Sequence, residues 1–258
     1  MNISKLATRQ LSDYDAREPG LMFAEGLSLS VDEAYDVQSQ VSSLRVQRGE
    51  KIIGYKVGCT SPAIQSQLGI DHCITGRLYD SEYHESGATI QRSQFANLAI
   101  EGELAVELSR EPHPNDFPKG EIPVCVSRVF PVIELHHFVM LGDKPSAGEL
   151  IANNAIHGGI VAGEGLPSES IQSAKLETSL SIFQNGKLLE GCNGLELIKT
   201  ISTSLQWLAK VLRERGTGLK AGQIILTGSV PSLIPVNIDC QLRIDAPPFG
   251  SVAAQIAA

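Results

Sequence analysis

The chain of 258 residues has few cysteines, and they are widely spaced, which excludes small domains held together by a zinc ion or by disulfide bonds. The five cysteines are Cys59, Cys73, Cys125, Cys192 and Cys240. Each is more than ten residues from the next. This spacing gives neither a zinc site nor a disulfide framework. The N-terminus MNISKLATRQ also has no apolar core typical of a signal peptide. The reducing cytoplasm is therefore the expected compartment.

Basic residues and long apolar runs are scarce as well. The 21 basic residues are outnumbered by 29 acidic ones, giving a net charge of −8, and they form no basic block, so nucleic acid is not expected as a partner. No apolar run reaches the roughly 18 residues of a membrane span, so no membrane partner is expected. The charged fraction of 19% is low for a globular surface, which favours a homo-oligomer that buries surface between subunits.

The first 70 residues read mainly as helix. A helix over 30–49 is predicted by one apolar stripe and by Ser30 and Glu33, which have the spacing of a capping box. Next, KIIGYKVGCT reads as a strand in which Gly54 marks a bulge or a close backbone approach. A short helix then follows Ser61 and Pro62, a cap residue with a first-position proline.

Strand patterns dominate from about residue 75, with helices expected only near 146–154 and 194–215. The pair Asn185–Gly186 between two apolar runs predicts a tight hairpin. Because strands and helices do not alternate regularly, the expected class is α+β. The chain is divided by this reading into a helical segment, 1–70, and a β-rich catalytic domain, 71–258.

Three glutamates are the candidate metal ligands. Glu101 and Glu103 are two apart on a predicted strand, so their carboxylates share one face. For Glu101 and Glu103 alone, the alternative is that both side chains lie on a solvent-exposed strand face and bind no metal. Glu134, however, ends the apolar run VFPVIEL, and a buried acid is normally paired or bound to a metal. Three carboxylates without a thiolate suit Mg²⁺ or Mn²⁺, and a small 2-oxo acid can bind such an ion through two oxygens.

The residues around these glutamates leave alternatives open. His136 follows Glu134 on the same strand face and is either a further ligand or, like His137, a hydrogen-bonding or loop residue. Lys56 lies between apolar and glycine residues, so it is either an exposed strand lysine or a desolvated one whose lowered pKa suits proton transfer. Asp71 reads as a turn residue. The glycine-rich HGGIVAGEG does not fit the dinucleotide fingerprint, and no G-x-S-x-G elbow is present.

Several segments in order resemble the 2-keto-4-pentenoate hydratase and 4-oxalocrotonate decarboxylase family, which is related in fold to the C-terminal domain of fumarylacetoacetate hydrolase. The segments that carry the resemblance are LSVDEAYDVQ, GYKVGCTSPAIQSQLGID, IEGELAVEL, PVIEL, ANNAIHGGIVAG and AGQIILTGS. The resemblance implies a mixed β-roll with flanking helices, usually assembled as an oligomer.

The resemblance also implies roles for individual residues. By position, the family's metal carboxylates fall on Glu101, Glu103 and Glu134. The active-site lysine falls on Lys56, an acid used in proton transfer on Asp71, and a residue of the substrate pocket on Ser229.

The implied activity is a metal-dependent hydration of a 2-hydroxy-2,4-dienoate to a 4-hydroxy-2-oxo acid. The alternatives are decarboxylation of a 2-oxo-3-enedioate such as 4-oxalocrotonate, hydrolysis of an acylpyruvate with His72 or His136 activating water, and a non-catalytic homologue that binds small acids. The chain departs from the family after Glu134, where LHHFVMLGDKPSAGE has paired histidines and no arginine, whereas many relatives carry an arginine. This difference favours a different substrate tail.

Overall fold

The computed structural model describes residues 2–118, 121–142, 144–171 and 178–258. The helices are α1 (Ile3–Ala16), α2 (Val31–Gln47), α3 (Pro62–Leu68), α4 (Ala147–Ala152), α5 (Ser168–Ile171) and α6 (Leu195–Glu214). The strands are β1 (Ile52–Gly58), β2 (Ile74–Tyr79), β3 (Tyr83–Glu85), β4 (Thr89–Gln91), β5 (Ala99–Leu108), β6 (Val126–His136), β7 (His157–Ala162), β8 (Leu166–Pro167), β9 (Ser179–Gln184), β10 (Lys187–Asn193), β11 (Ile224–Leu226), β12 (Ile234–Pro235), β13 (Cys240–Asp245) and β14 (Ser251–Ala257).

Two mixed sheets carry these strands. One has nine strands, with the order β2-β1-β11-β5-β6-β7-β3, β12 on β5 and β8 on β6. The other has five strands in the order β10-β9-β13-β14-β4. The combination of mixed sheets with separate helices confirms the predicted α+β class and the curled roll that the resemblance implied.

Local sequence signals set several of the element boundaries. Ser30 caps α2, and its side chain and that of Glu33 form the predicted reciprocal capping box. The bulge predicted at Gly54 is present, because the register between β1 and β2 shifts there. A side chain at this position would place its Cβ 1.8 Å from the carbonyl oxygen of Ile224, so only glycine allows β1 and β11 to approach. The hairpin at Asn185–Gly186 joins β9 and β10, with positive φ at both residues.

Successive side chains of β5 face opposite sides of the large sheet, and the two sides have different surroundings. Gly102 faces the five-stranded sheet, since a Cβ there would lie 2.9 Å from the Ile182 side chain. Leu104 and Val106 continue this face into the main hydrophobic core between the sheets and α6. Odd-numbered positions of β5 therefore face the other side of the large sheet, where Ala105 joins a smaller apolar cluster. Glu101 and Glu103 lie on that second side.

The N-terminal helices pack onto the large sheet and do not form a separate core. Ala7 of α1 and Val37 of α2 share a cluster with Ile74 of β2 and Ile151 of α4. Strand β1 also lies within the large sheet, between β2 and β11. The division into 1–70 and 71–258 stays a prediction. Within the described residues, every helix is too short or too polar to cross a membrane.

A buried arginine joins the helices to the sheet. Arg45 of α2 pairs with Glu50 and lies 2.6 Å from Glu82, while its guanidinium carbon lies 3.7 Å above the Tyr79 ring. Its side chain is only 4% exposed. Replacement by alanine leaves Glu82 largely buried without this cation and leaves Glu50 with Arg48 as its remaining ion pair. We therefore expect Arg45→Ala to lower the free energy of unfolding by about 3–5 kcal/mol, measured by urea denaturation.

The matched control for that variant is Arg48→Ala, on the same helix end. Arg48 also pairs with Glu50, and with Asp15, but its side chain is 38% exposed. We expect a loss of about 1 kcal/mol or less, because exposed ion pairs contribute little. Equal losses for the two variants would contradict the importance of the buried network.

Candidate metal centre

The register of β5 and β6 brings two of the predicted glutamates together. Glu101 of β5 lies directly opposite Glu134 of β6, and Ala99 lies opposite His136. Directly opposed side chains in an antiparallel pair are nearest neighbours on one face. Two carboxylates and an imidazole are therefore collected on the side of the large sheet that faces away from the five-stranded sheet.

Glu134 is the centre of this group. Its side chain is fully buried, with 0% exposure. One oxygen, Oε1, lies 2.9 Å from Lys56 Nζ and 2.8 Å from His157 Nδ1. The other oxygen, Oε2, is buried and has no hydrogen-bond partner among the described residues. Burial raises the pKa of Glu134, but the ammonium charge of Lys56, together with the neighbouring imidazoles, outweighs burial and holds this pKa well below its usual range.

Glu101 and His136 lie on the open side of Glu134. His136 Nε2 is 3.1 Å from Glu101 Oε2 and 3.8 Å from Glu134 Oε2. One ligand atom from each of these three residues lies within 4.8 Å of the others. Glu101 is 21% exposed, whereas His136 is almost fully buried. The open side of the cluster, from which a ligand can enter, therefore lies at Glu101.

Glu103 lies deeper and is held by the backbone. It is 1% exposed, and its Oε2 accepts a hydrogen bond of 2.9 Å from the Gly228 amide. Burial raises its pKa, and the nearby carboxylates of Glu134 and Glu101 raise it further, despite the opposing charge of Lys56. Without a cation, this carboxyl group is therefore driven towards its protonated form.

Lys56 extends from β1 into the same buried space. Its Nζ pairs with Glu134 and donates to the Ala155 carbonyl oxygen at 3.2 Å. Burial lowers the pKa of Lys56, but the surrounding carboxylates outweigh burial and raise it. The sequence left open an exposed lysine or a desolvated one with a lowered pKa. Lys56 is buried, but the neighbouring acids, which the desolvation argument left out, reverse the direction of the pKa shift. The lysine is held here as an ammonium group.

A left-handed turn positions both partners of Glu134. Asn154, Ala155 and Ile156 have φ values of 54°, 53° and 58°, a conformation that costs non-glycine residues about 1–3 kcal/mol each. The Asn154 side chain secures the turn by accepting from the Arg77 amide at 2.7 Å and donating to the Arg77 carbonyl at 2.8 Å. The turn directs the Ala155 carbonyl at Lys56 and leads directly into His157.

The sequence reasoning missed this turn and the role of His157. A signal was present in the doubled asparagine of ANNAIHGG, because asparagine adopts the left-handed conformation more readily than other non-glycine residues.

The remaining two predicted residues lie outside the cluster. Ser229 is half-buried, and its hydroxyl donates to the carbonyl oxygens of Pro231 at 2.7 Å and Gly102 at 3.2 Å. It thus lies next to the Gly228 amide that binds Glu103. Asp71 is exposed in a bend between α3 and β2. Its proton-transfer role stays a prediction.

The charges and donors of the cluster fit a divalent cation. Three carboxylates accompany the single ammonium group of Lys56, so two negative charges are left uncompensated when all are ionised. Glu134 Oε2, which has no hydrogen-bond partner in the described part of the chain, lies on the side of Glu101 and His136. Carboxylate oxygens are the donors that hard divalent ions prefer, and a cation here would compensate these charges.

The chain is similar to known proteins over most of its length. Residues 80–256 match the family described as fumarylacetoacetate (FAA) hydrolase C-terminal. A 2-keto-4-pentenoate hydratase of Paraburkholderia xenovorans strain LB400 is 28% identical over 212 residues, which cover 81% of this chain and 77% of the relative. A 4-oxalocrotonate decarboxylase of Pseudomonas sp. strain CF600 is 27% identical over 205 residues, covering 79% of this chain and 77% of the relative.

A solved structure shares nearly the whole fold. The 4-oxalocrotonate decarboxylase from Pseudomonas putida G7, complexed with magnesium and adipate, superposes with a TM-score of 0.88 at 25% identity. The superposition covers 99% of this chain and 97% of the decarboxylase. The similarity therefore includes the N-terminal helices as well as the two sheets.

Proposed function

Since the chain belongs to the fumarylacetoacetate hydrolase C-terminal family, we propose that it is a divalent-metal-dependent hydratase. Its substrate would be a 2-hydroxy-2,4-dienoate of the 2-keto-4-pentenoate type, and its product a 4-hydroxy-2-oxo acid. The hydratase among its relatives supports this reaction, and the decarboxylase complexed with magnesium supports the use of a divalent ion.

The observation that carries the proposal is that the two carboxylate oxygens of Glu134 have different contacts. Oε1 is bound by Lys56 and His157, while Oε2 lies beside Glu101 and His136 and accepts no hydrogen bond from any residue that the structure describes. One buried carboxylate thus joins a proton-carrying group to a cation-binding group. The proposed metal ligands are Glu101, Glu103 and Glu134, with Mg²⁺ or Mn²⁺ as the ion. When bound, the cation supplies positive charge opposite the negative charge that develops on the 2-oxo group.

The chain's own residues would handle the protons. Ketonisation moves the proton of the 2-hydroxyl group to C5 of the dienoate, and water then adds its hydroxyl to C4 and its proton to C3. Lys56 holds a proton on Nζ within the buried cluster and is the proposed carrier next to the substrate. Asp71 is proposed as an outer carrier, since it precedes β2, whose first residue, Ile74, pairs with Gly58 near Lys56. Ser229 is proposed to line the pocket.

Decarboxylation of a 2-oxo-3-enedioate is the second candidate, supported by the solved decarboxylase. In this reaction the bond to the distal carboxylate breaks, CO₂ leaves, and the electron pair passes through the conjugated carbons to the 2-oxygen. A distal carboxylate needs a cationic partner. Within the described residues, the hydrogen bonds and ion pairs of the three glutamates involve no arginine, and Lys56 is already paired with Glu134. Decarboxylation therefore requires a cationic side chain outside these contacts, whereas the hydratase substrate has no distal carboxylate to bind.

Removal and return of the metal tests the function directly. We expect the protein treated with a chelator to lose turnover of 2-hydroxypenta-2,4-dienoate, and Mg²⁺ or Mn²⁺ to restore it, because the acidic cluster alone cannot stabilise the negative 2-oxygen. Product would be identified by mass spectrometry beside a parallel assay with 4-oxalocrotonate. Faster loss of CO₂ from 4-oxalocrotonate would select the decarboxylase, whereas inactivity towards both, with every metal, would reject both reactions.

Two further features remain predictions from composition. Assembly into a homo-oligomer follows from the low charged fraction, and location in the cytoplasm follows from the cysteine spacing. Sedimentation velocity at several protein concentrations would determine the subunit number.

A further inference from the structure

His136 occupies a position that a carboxylate-only metal site does not require. It lies on the same face of β6 as Glu134, and its neighbours in the sheet are Ala99 on β5 and His157 on β7. The side chain is almost fully buried. A buried imidazole next to two carboxylates is either a hydrogen-bond donor to one of them or a ligand beside them.

The distances fit a shared ion. Two adjacent ligands of an octahedral ion, each about 2.1 Å from it, lie about 3.0 Å apart. His136 Nε2 lies 3.1 Å from Glu101 Oε2 and 3.8 Å from Glu134 Oε2. The three atoms therefore stand at separations that one ion can bridge with small side-chain rotations.

Within the described residues, few hydrogen bonds hold these atoms in place. His136 Nε2 and Glu101 Oε2 are hydrogen-bonded to each other, a contact that an ion between them would replace. Among the same residues, Glu134 Oε2 has no partner, although the other oxygen of this carboxylate has two. His136 Nδ1 likewise lacks a partner there, so no hydrogen bond at that nitrogen holds the ring in its present orientation. Glu103, by contrast, has one oxygen engaged by the Gly228 amide and does not belong to the group of mutually close ligand atoms.

We infer that His136 is a nitrogen ligand of the metal in this chain, and that the mixed nitrogen and oxygen site selects transition-metal divalent ions such as Mn²⁺ over Mg²⁺. The inference rests on the proposed function, which requires a metal ion, and it adds His136 as a fourth ligand beside the three glutamates. Imidazole is a common ligand of Fe²⁺ and Zn²⁺, and Mn²⁺, although it also favours oxygen, accepts a nitrogen ligand more readily than Mg²⁺ does. The histidine thus changes which ion the site retains.

Pulsed electron paramagnetic resonance of the Mn²⁺-loaded protein tests the ligand directly. Protein labelled with ¹⁵N at histidine should show a nitrogen hyperfine coupling that is absent after His136→Phe and retained after His137→Gln. His137 is the matched control, because it is the next residue in the chain but accepts from the Ala96 amide through Nδ1 and contacts the Tyr14 carbonyl through Nε2. If a variant fails to fold, the wild-type spectrum alone still shows whether a histidine nitrogen is bound to Mn²⁺.

Calorimetry of metal binding gives a second readout. We expect the ratio of Mn²⁺ to Mg²⁺ affinity to fall by about tenfold or more in His136→Phe, since the nitrogen donor is lost. Mn²⁺ that binds the wild type without a histidine coupling would overturn this inference and leave the proposed function intact. A protein that binds neither ion would overturn the proposed function itself.

Discussion

Replacing Glu134 by glutamine is expected to lower kcat/KM by about a thousandfold, the loss found when one electrostatic contact to a reacting centre is removed. The variant keeps the size of the side chain but removes the negative charge that Lys56 and His157 share. It also removes an anionic oxygen from the group formed with Glu101 and His136. Steady-state kinetics with Mn²⁺, together with a titration of Mn²⁺ binding, would measure both losses.

The matched control for that experiment is Glu107→Gln. Glu107 lies on β5 on the same side of the sheet as Glu101, so the chemical change is identical. It is 34% exposed and pairs with Arg128 at 2.8 Å, outside the buried cluster. We expect kcat/KM to stay within about threefold of the wild type, because an exposed ion pair contributes little. A thousandfold loss in both variants would show that the effect of Glu134→Gln is not specific to the cluster.

Replacing Lys56 by methionine is expected to reduce kcat by about 10²–10⁴-fold, the usual contribution of a positioned proton carrier. The change removes the group that holds a proton next to the cluster, but it leaves the proposed metal ligands in place. Mn²⁺ should therefore still bind, and its affinity should not fall, because the loss of a nearby positive charge favours a cation. Kinetics and Mn²⁺ titration on the same preparation separate these effects.

Lys51→Met provides the comparison for the lysine variant. Lys51 immediately precedes β1, and its side chain is exposed. We expect its kcat to match that of the wild type. If Lys56→Met kept kcat within about tenfold of the wild type, or lost Mn²⁺ binding as well, the proposed proton-carrying role would be rejected.

Much of the fold could be predicted from the sequence because its signals are local. The capping box at Ser30, the proline-led helix after Ser61 and the hairpin at Asn185–Gly186 each depend on residues close together in the chain. The two-residue period of β5 likewise indicated that Glu101 and Glu103 share a face. The resemblance to a family supplied the rest, including the roll itself.

What could not be predicted depends on contacts between distant segments. Strand β14 has no clear strand pattern of its own, because its sequence SVAAQIA is rich in alanine, a weak strand former, and its position is set by pairing with β13 and β4. The proximity of His136 to Glu101 depends on the register of β5 and β6, and no local pattern fixes that register. The raised pKa of Lys56 likewise follows from acids on two other strands.

The position of β11 in the large sheet has a consequence for protein synthesis. Glu101 and Glu134 come together through β5 and β6, which are neighbours both in the chain and in the sheet. Lys56 lies on β1, which is joined to β5 in the described sheet through β11 (Ile224–Leu226), a strand that is synthesised after the lysine and both acids. Pairing of β5 with β6 can therefore precede the docking of β1, and a chain truncated before β11 is expected to lack the strand that places Lys56 beside the two acids.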